Sequence, residues 1–485
     1  MENIPEVLNS ESLSPVYFLG IGGIGMSALA RYFRHSGMEV SGYDKTPTPL
    51  TDQLQGEGMK IHFEENPDLI PKKPGMVIYT PAIPRDHKEF LYFRRKKILM
   101  LKRSEVLGNI AENYFTIAVS GTHGKTTTSA LISHLLRVAG IPHIAFLGGI
   151  SRNYNTNFVY FGREPRICVV EADEFDRSFL RLKPDIAIIT SADPDHLDIY
   201  HSHEQLIVSF EDFTGNIRKG GSLIMKKGVR IKPERKSAYT VFSYFLGNPT
   251  EEKVIAIKKS NTIPGKDENA KKSTSSFTVS SVSIRRGLYH FDFNTADVRW
   301  KNLTLGLPGR FNLENALAAS AAAYLLNIPE AKVAKGLKSY RGVVRRFDFR
   351  IRKPLQVFID DYAHHPEELR ACISAVREMY PGKKLTGIFQ PHLYSRTRDL
   401  AVEFASSLDL LDEVVLLEIY PAREKPIPGV SSRMILDLIS IRQKHLIGKD
   451  EVAAFLKKRK PRILLTLGAG DIDQMVEPIK KILEG

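Results

Sequence analysis

Short apolar runs alternate with amphipathic segments along most of the chain. Apolar runs that end in glycine or polar residues are typical of buried strands in an α/β protein, and amphipathic segments are typical of helices. The runs predict strands near 15–19, 39–43, 59–62, 76–80, 97–101, 115–119, 166–170, 185–190, 355–361, 385–389, 413–417 and 462–467. Residues 222–308 predict irregular β structure, with a Ser-, Lys- and Asn-rich loop around 259–276.

A glycine turn between the strand at 115–119 and a following helix has the layout of a phosphate-binding loop. It consists of Gly121, Thr122, His123, Gly124, Lys125, Thr126 and Thr127. Backbone N–H groups of such a turn point at phosphate oxygens, and the helix N-terminus adds partial positive charge. Lys125 is placed to reach the β and γ oxygens of a triphosphate, and Thr126 to bind Mg²⁺. The usual pattern has glycine at 119, where this chain has Val119. A glycine-rich turn with a surface lysine is the alternative.

Another glycine turn follows the first predicted strand. It comes earlier in the chain and is called the first glycine turn, and the turn at 121–127 is called the second. The run Gly20-Ile21-Gly22-Gly23-Ile24-Gly25 has the spacing G-x-G-x-x-G, and a second strand ends in Asp44. Taken alone, this is the fingerprint of a dinucleotide site, where glycines let a pyrophosphate approach and the acid holds ribose hydroxyls. A tight turn that binds nothing is the alternative, because this motif is weak by itself.

Acidic residues follow the apolar strand at 166–170. Glu171, Asp173, Glu174 and Asp176 come at its carboxyl end, where doubly wound sheets bind their ligands. Four carboxylates repel one another unless cations are present, so Mg²⁺ or basic side chains are expected beside them. The next strand ends near His196, which stands among Asp193, Asp195 and Asp198. That histidine is a candidate metal ligand, and a capping cluster for the next helix is the alternative.

Polar residues also follow the strands of the last third of the chain. Asp360, Asp361, Tyr362, His364 and His365 follow one strand, and His392, Arg396 and Arg398 follow the next. Histidines and arginines at one edge of a parallel sheet suit a carboxylate or phosphate. The histidine pair suits zinc less well, because no third ligand has convincing spacing. Further upstream, Asn312 and Asn315 lie three apart on a predicted helix, where they suit either an adenine edge or helix capping.

The composition excludes several classes of protein. A chain of 485 residues is too long for one core and predicts two to four domains. No run approaches the roughly 20 apolar residues of a membrane helix, and no secretion signal is recognised. Cys168 and Cys372 are the only cysteines, which excludes a disulfide framework and predicts a cytoplasmic protein. The net charge of +14 favours anionic partners, and nucleotides fit better than nucleic acid because no nucleic-acid module is recognised.

Three motifs together resemble the Mur ligases, which build the peptidoglycan precursor. They are the glycine turn at 121–127, the acidic run at 171–176, and Asp195-His196; the similarity extends from about Val16 to Asp471. The resemblance implies three α/β domains. A Rossmann-like domain at 1–113 would bind a UDP-sugar, and a P-loop ATPase-like domain with a mainly parallel sheet at 114–340 would bind ATP. A Rossmann-like domain at 341–485 would close on ATP and bind the amino acid.

Four stretches resemble, within that family, the members that join L-alanine to UDP-N-acetylmuramate. They are residues 20–25, 178–180, 360–366 and 389–397. The implied reaction uses ATP and Mg²⁺: the lactyl carboxylate of the sugar attacks the γ-phosphate, and the amine of L-alanine attacks the acyl phosphate. The implied partners are these two substrates, with no nucleic acid and no membrane span. The sequence does not determine the oligomeric state.

The resemblance also implies roles for individual residues. The ATP-binding set is Gly121, Thr122, His123, Gly124, Lys125, Thr126, Thr127, Asn312, Asn315, Arg346, Asp360 and Asp361. Thr126 and Glu171 would hold one Mg²⁺, and Glu171 with His196 a second. Gly20, Gly22, Gly23, Ile24, Gly25, Asp44, Thr80 and Ala82 would bind the UDP-sugar, and Tyr362, His364, His392 and Arg396 would surround L-alanine. Lys125, Glu171, His196, His364 and Arg396 are the implied catalytic residues.

Three positions depart from what is common in the family. Ser191 stands where Asn is common, Phe311 where His is common, and Arg423 where Gly is common. Ser191 lies beside the implied second metal, so its role there is in question. Arg423 either narrows the amino-acid pocket or points to solvent, and solvent is favoured.

Other functions stay open from the residues alone. A ligase that attaches a murein tripeptide to the same UDP-sugar would share the ATP residues, although the stretches 178–180 and 389–392 argue against it. A nicotinamide-dependent oxidoreductase would use the turn at 20–25 but leaves the second glycine turn without a role. A non-enzymatic ATP-binding switch is the third alternative. For the ligase, hinges are predicted near 108–114 and 335–345.

Overall fold

The chain forms two compact units. The computed structural model describes residues 13–71, 74–194, 197–200, 202–234, 236–247, 275–422 and 424–485. Within those ranges, the first unit comprises Met1–Val282, Phe291–Thr304 and Glu314–Tyr340, and the second comprises Ser283–His290, Leu305–Leu313 and Arg341–Gly485. Asp195, His196, Arg423 and most of the predicted loop at 259–276 lie outside the described residues.

The first sheet of the first unit has five parallel strands in the order β3-β2-β1-β4-β5. They are β1 (Val16–Leu19), β2 (Val40–Tyr43), β3 (Lys60–His62), β4 (Met76–Tyr79) and β5 (Met100–Lys102). The connecting helices are α1 (Ile24–His35), α2 (Pro49–Gly56), α3 (Lys88–Arg95) and α4 (Arg103–Glu112). The order reverses at β1, so the first glycine turn lies at the topological switch point. Strand β5 begins later than predicted because Lys97, with φ of 55°, belongs to the turn after α3.

The second sheet has ten strands in the order β15-β14-β13-β12-β11-β10-β6-β9-β7-β8. The strands are β6 (Phe115–Ser120), β7 (His143–Ser151), β8 (Thr156–Phe161), β9 (Ile167–Glu171), β10 (Ile186–Ile189), β11 (Ser222–Lys226), β12 (Thr240–Leu246), β13 (Ser275–Arg285), β14 (Leu288–Asn294) and β15 (Arg299–Leu305). The helices are α5 (Lys125–Ala139), α6 (Leu197–Tyr200), α7 (His203–Gly215), α8 (Arg310–Leu325) and α9 (Glu330–Ser339). Strand β6 pairs in parallel with β9 on one side and β10 on the other, so the phosphate-loop strand is central.

The prediction of β structure over 222–308 is confirmed for the described residues, and its irregularity includes Ser281 and Asn302, which have positive φ within β13 and β15. Strands β11, β12 and β13 pair in parallel and extend the sheet in regular register. Aromatic side chains explain the regularity, because rings that point to one face pack on one another across strands. Phe277 packs against Phe242 and Phe293 with ring centroids 5.3 and 5.9 Å apart, and Phe293 stacks on Trp300 at 4.5 Å.

Helix α1 joins the two sheets of the first unit. It packs on β7 and β8, where Tyr32 contacts Phe146 and Phe158. The fully buried Asn157 of β8 donates from Nδ2 to the backbone carbonyl of Ile24 at 2.5 Å, and Arg31 donates to its side-chain oxygen. A buried, hydrogen-bonded amide of this kind specifies one orientation of the helix. The helix that follows the first glycine turn is therefore anchored on the central sheet.

The second unit contains a six-stranded sheet in the order β16-β17-β21-β18-β19-β20. The strands are β16 (Asp348–Lys353), β17 (Gln356–Asp361), β18 (Leu385–Phe389), β19 (Glu413–Leu416), β20 (Lys444–Leu446) and β21 (Ile463–Leu467). The helices are α10 (Pro366–Met379), α11 (Tyr394–Asp399), α12 (Ala401–Leu408), α13 (Ser432–Leu438), α14 (Val452–Arg459) and α15 (Val476–Glu484). Only β16 is antiparallel, so the carboxyl ends of β17, β21, β18 and β19 share one edge.

The predicted α/β class with mainly parallel sheets is confirmed. Among the described residues, no helix is both long enough and apolar enough to cross a membrane. Cys168 and Cys372 are both buried and both free.

Candidate active site

The second glycine turn connects β6 to α5 through two glycines with positive φ. Gly121 has φ of 128° and Gly124 has φ of 84°, a conformation that side chains with a Cβ rarely adopt. A Cβ on Gly121 would lie 2.3 Å from the Thr190 hydroxyl, and one on Gly124 would lie 2.5 Å from the amide oxygen of Asn315. Both glycines are required by the fold around the turn, which leaves no room for a larger residue.

The absent glycine at 119 has a structural reason. Val119 is fully buried and still belongs to β6, where it pairs with Ile188 of β10 and Glu171 of β9. The turn begins two residues later than the usual pattern requires. A β-branched residue therefore fits position 119 better than glycine does.

Hydroxyl side chains from the end of β10 hold the turn in shape. Ser191 Oγ lies 2.9 Å from Thr122 Oγ1 and accepts a hydrogen bond from His123 N at 2.8 Å. Thr190 Oγ1 donates to the carbonyls of Ser120 and His123. The role of Ser191 in the structure is thus to support the turn. Thr190 was not predicted as a site residue, because its only signal is a hydroxyl at the end of the strand beside β6.

Lys125, at the start of α5, forms a buried ion pair with Glu174. Its Nζ donates to both carboxylate oxygens of Glu174, at 2.7 and 2.8 Å, and lies 4.0 Å from an oxygen of Asp173. Glu174 is fully buried. Burial by itself lowers the pKa of Lys125, but Glu174, Asp173 and Glu171 outweigh it and leave that pKa raised. Lys125 therefore supplies the positive charge expected beside the acidic run.

Two predicted magnesium ligands lie on neighbouring elements. Thr126 is buried in the first turn of α5, and Glu171 ends β9, the strand beside β6. The Glu171 carboxylate accepts a hydrogen bond from Gly148 N at 3.1 Å. A hydroxyl and a carboxylate are the hard oxygen donors that Mg²⁺ prefers, so these two residues fit the ion. The third predicted ligand, His196, lies outside the described residues, and within them no group of three His, Cys, Asp or Glu side chains is arranged for a metal.

The two predicted adenine-facing residues lie in the first turns of α8. Asn312 follows the start of the helix at Arg310, so the capping alternative is wrong for it; its Nδ2 donates to the carbonyl of Pro308 at 2.8 Å. Asn315 places its amide oxygen against Gly124. Phe311, where histidine is common, packs edge-on against Phe347 at 5.4 Å.

The first glycine turn, between β1 and α1, is held by backbone and by one acid. Gly20 N and Ile21 N donate to the carbonyl of Tyr43, and Gly22 N donates to Asp44 Oδ2 at 2.7 Å. A Cβ on Gly22 would lie 2.8 Å from that oxygen. The first turn of α1 contains no acidic residue. Asp44 thus lies against the turn with its carboxylate bonded to the backbone just before α1, although the first turn of the helix itself contributes no negative side chain.

The other predicted UDP-sugar residues lie around this turn. The Cβ of a residue at Gly20 would meet Thr80 Cγ2 at 2.7 Å, which places Thr80 at the carboxyl end of β4 against the turn. A Cβ on Gly23 would have no neighbour closer than 3.5 Å, and one on Gly25 would meet the Arg103 guanidinium at 2.9 Å. Ile24 is partly exposed and Ala82 is exposed.

In the second unit, Asp360 and Asp361 end β17 as predicted. Asp360 accepts a hydrogen bond from Thr466 Oγ1 at 2.7 Å, and Asp361 accepts from Phe347 N at 2.6 Å. Burial raises the pKa of Asp360 to about 6 and that of Asp361 to about 7. The guanidinium of Arg346 lies over the Tyr362 ring at 5.0 Å. The predicted contacts of these residues with ATP stay a prediction.

The predicted amino-acid residues of the second unit come together at the edge of the six-stranded sheet. The rings of His364 and His392 are 6.0 Å apart, and His392 stacks on Tyr420 at 5.8 Å. Burial lowers the pKa of His364. The Glu368 carboxylate, 3.3 Å from Nδ1 of His364, raises that pKa but does not outweigh burial. Glu368 was not predicted as a site residue, although its spacing of four from His364 at a helix start is a signal.

Two arginines on α11 differ sharply. Arg396 has a buried Nη1 with no hydrogen-bond partner among the described residues, whereas Arg398 is half exposed and bonds its neighbour Asp399. A buried guanidinium nitrogen without a partner suits an anionic ligand. The interpretation of Arg398 as part of an anion site has no support in this geometry.

Comparison with known proteins assigns the chain to a family. Residues 15–115 match the family model of the Mur ligase catalytic domain, 119–323 that of the Mur ligase middle domain, and 345–470 that of the Mur ligase glutamate ligase domain. A UDP-N-acetylmuramate–L-alanine ligase of Porphyromonas gingivalis is 47% identical over 97% of this chain and 99% of its own. The chain belongs to the Mur ligase family.

Other members of the Mur ligase family agree with this assignment. The enzyme of the same name from Flavobacterium psychrophilum is 46% identical over 98% of this chain and all of its own. The crystal structure of the UDP-N-acetylmuramate–alanine ligase of Thermotoga maritima matches with a TM-score of 0.77 at 28% identity, covering 97% of this chain and 99% of that one. The three-domain α/β fold expected of a Mur ligase is therefore confirmed.

Proposed function

We propose that this Mur ligase joins L-alanine to the lactyl carboxylate of UDP-N-acetylmuramate, with ATP converted to ADP and phosphate. The observation that carries the proposal is the match at 46–47% identity, over nearly the whole chain, to relatives that bear the name of this reaction. The geometry supports the proposal with two glycine turns, which suit two phosphate-containing substrates, and with the buried guanidinium nitrogen of Arg396 on the second unit.

ATP is proposed to bind at the turn between β6 and α5. Support comes from the two positive-φ glycines, the start of α5 and the lysine at its first position. Thr126 and Glu171 would hold Mg²⁺, which when bound offsets phosphate charge and makes the γ-phosphorus more electrophilic. Lys125 would add a second positive charge to the γ-phosphate while the lactyl carboxylate attacks.

The UDP-sugar is proposed to bind at the turn between β1 and α1. Gly23 has room above its Cα, and the first turn of α1 contains no acidic residue, which favours the approach of a diphosphate. The nearby Asp44 carboxylate is already held by Gly22 N. Asp44, at the end of the neighbouring strand, would accept hydrogen bonds from ribose hydroxyls. Thr80, which lies against Gly20, and the exposed Ala82 would complete this site.

The amine-binding residues are proposed to lie on the second unit. Arg396 would bind the carboxylate of L-alanine through its buried guanidinium nitrogen. His364 stays neutral because burial lowers its pKa, so it can accept the proton that the ammonium group must lose before attack. The amine nitrogen then bonds to the acyl carbon, and phosphate leaves with the electrons of the C–O bond.

We further propose the domain boundaries at 113–114 and 340–341, and a cytoplasmic location. The unit boundary at Tyr340 supports the second of these boundaries. The location is supported by the two free, buried cysteines and by the cytoplasmic supply of ATP and nucleotide sugars.

A phosphate-release assay on the full chain tests the proposal. With ATP, Mg²⁺ and UDP-N-acetylmuramate present, we expect phosphate release only after L-alanine is added, and mass spectrometry should find the amide product. Turnover with the murein tripeptide but not with L-alanine would overturn the proposal in favour of the tripeptide ligase. Oxidation of NAD(P)H without phosphate release would establish an oxidoreductase, and ATP binding without any product would establish a switch.

A further inference from the structure

The P-loop lysine of this chain is already engaged by a carboxylate. Lys125 Nζ donates to both oxygens of Glu174, at 2.7 and 2.8 Å. We propose that Glu174 is an internal counter-ion that competes with nucleotide phosphates for Lys125 and thereby limits the affinity of the site for nucleotide. The proposal rests on the ATP site proposed above and adds a residue that sets its affinity.

The contact is buried on both sides. The Glu174 side chain is fully buried, and that of Lys125 is 12% exposed. Water therefore screens the pair poorly, and the attraction is stronger than at a surface. Asp173 is a different case, because it is 35% exposed and its oxygen lies 4.0 Å from Nζ. Of these two acids, only Glu174 is placed to hold the ammonium group firmly.

The backbone around Glu174 is fixed independently of the lysine. Tyr200 Oη donates to the Glu174 carbonyl at 2.5 Å, and Arg177 N donates to the same carbonyl at 3.0 Å. Ser178 Oγ donates to the neighbouring carbonyl of Asp173 at 2.9 Å. These bonds hold the backbone at Glu174, so its carboxylate can leave Nζ only by rotation of the side chain.

A phosphate that reaches Lys125 must therefore share it or displace Glu174 from it. In either case the phosphate and the Glu174 carboxylate compete for one ammonium group where water screens charges poorly. This competition weakens nucleotide binding. Glutamine has the shape of glutamate, and its amide oxygen still accepts a hydrogen bond from Nζ, but it carries no charge. We therefore expect Glu174→Gln to bind nucleotide more tightly than the unaltered chain, by about tenfold.

Titration calorimetry with ADP and with a non-hydrolysable ATP analogue tests whether Glu174→Gln tightens nucleotide binding. The full chain, Glu174→Gln and Asp173→Asn are compared, and Asp173→Asn is the matched control because it removes a charge that is more exposed and farther away. We expect its effect to stay below about threefold. Unchanged or weaker binding by a folded Glu174→Gln variant would overturn the proposal.

A double-mutant cycle separates charge competition from a merely structural role. In a folded Lys125→Met background no ammonium group is left to share, so adding Glu174→Gln should tighten nucleotide binding by much less than in the unaltered chain, below about threefold. An equal gain in both backgrounds would overturn the proposal, because it would not pass through Lys125. If Glu174→Gln does not fold, Glu174→Asp replaces it. The shorter side chain does not reach Lys125 Nζ, so nucleotide binding should tighten. An unchanged affinity would overturn the proposal.

These outcomes differ from those that would refute the nucleotide site itself. If the unaltered chain binds neither ADP nor the ATP analogue, the proposed function fails. If the unaltered chain binds them and Lys125→Met weakens binding, but Glu174→Gln does not tighten it, only the counter-ion proposal fails.

Discussion

The two glycine turns of the first unit have the same local architecture and different chemistry. Each follows a central parallel strand, β1 or β6, and each leads directly into a helix, α1 or α5. The first is held by backbone carbonyls and by Asp44, which accepts from Gly22 N. The second is held by hydroxyls and carries Lys125, paired with Glu174.

The difference shows that the neighbouring strands determine what a glycine turn can do. Strand β2 delivers a single acid to the first turn, which suits a ligand with hydroxyl groups beside its phosphates. Strands β9 and β10 deliver carboxylates and hydroxyls to the second, which suits a triphosphate with its metal. The tests below separate the two turns by asking which substrate each variant affects.

The largest effect is expected from Lys125→Ala. The second turn carries the ammonium group of Lys125, and the first turn carries no positively charged side chain of its own. Loss of the Lys125 charge should therefore lower kcat/KM for ATP by about 10³-fold or more and leave the affinity for the UDP-sugar unchanged. Steady-state phosphate release and UDP-sugar titration measure the two quantities. Because the variant strands the buried Glu174 charge, at a cost of about 3–5 kcal/mol, Lys125→Ala/Glu174→Gln serves as the folded reference. Lys219→Ala, at an exposed lysine, is the control. If kcat/KM for ATP were the same in Lys125→Ala as in this control, the assignment of ATP to the second turn would be wrong.

The next effect concerns pH, because two buried groups of the first unit, one on α3 and one on α5, have pKa values shifted in opposite directions. Burial raises the pKa of Glu89 on α3 from 4.5 to about 7, whereas it lowers that of His134 on α5 from 6.5 to about 4. Glu89 faces Tyr17 Oη at 2.6 Å and His62 at 3.6 Å. Between pH 4.5 and 7 the unfolded chain releases the glutamate proton that the folded chain keeps, so stability falls as pH rises. Between pH 6.5 and 4, His134 binds a proton in the unfolded chain but not in the folded chain. The free energy of unfolding therefore falls as pH falls.

Substitution isolates each of these contributions. The free energy of unfolding of Glu89→Gln minus that of the unaltered chain should increase by about 3 kcal/mol between pH 4.5 and 7.5. The corresponding difference for His134→Gln should increase by about 3 kcal/mol between pH 7 and 4. Denaturant unfolding at a series of pH values provides both curves. Differences that stay constant with pH would show that neither burial affects stability in this way.

A smaller effect is expected from a matched pair of glycine substitutions. Gly124→Ala adds a Cβ that would lie 2.5 Å from the Asn315 oxygen, at φ of 84°, and should raise KM for ATP by about 10- to 100-fold. Gly23→Ala has room for its Cβ, so the fold should tolerate it, but the methyl group would crowd a diphosphate and raise KM for the UDP-sugar by about tenfold. Two-substrate kinetics measure both constants. Each variant is the control for the other, and if both affected the same substrate, the assignment of the turns would be wrong.

The smallest effect is expected from Asp44. Asp44→Asn keeps an acceptor for Gly22 N and should raise KM for the UDP-sugar by about threefold, while Asp44→Ala loses it and should raise KM by about tenfold. The KM for ATP should not change in either variant, as measured in the same assay. Equal behaviour of the two variants would mean that the bond to Gly22 does not shape the turn.

Much of the fold follows from local patterns that the chain carries in full. Most of the buried parallel strands are rich in apolar residues and end in glycine or polar residues, so Phe115–Ser120 and Leu385–Phe389 were predictable within a residue or so. The five strands between 222 and 305 were not, because their regularity depends on aromatic rings such as Phe277 and Phe293 meeting across strands. Pairing between distant segments leaves little trace in the periodicity of either one.

The candidate site divides in the same way. Gly121, Gly124, Lys125 and Thr126 are recognisable because a phosphate loop needs them at fixed spacing. Thr190 and Glu368 were not recognised, because a hydroxyl or carboxylate at the end of an element has many uses.

The sequence alone determined where strands end, where glycines allow positive φ and which helices follow, because these depend on steric and hydrogen-bonding limits within a few neighbouring residues. The tertiary structure alone decided that Lys125 pairs with Glu174, 49 residues away, and that Asp44 bonds to Gly22 N. These contacts depend on strand order and on burial. Both arise only when distant segments pack together and exclude the water that would otherwise screen their charges.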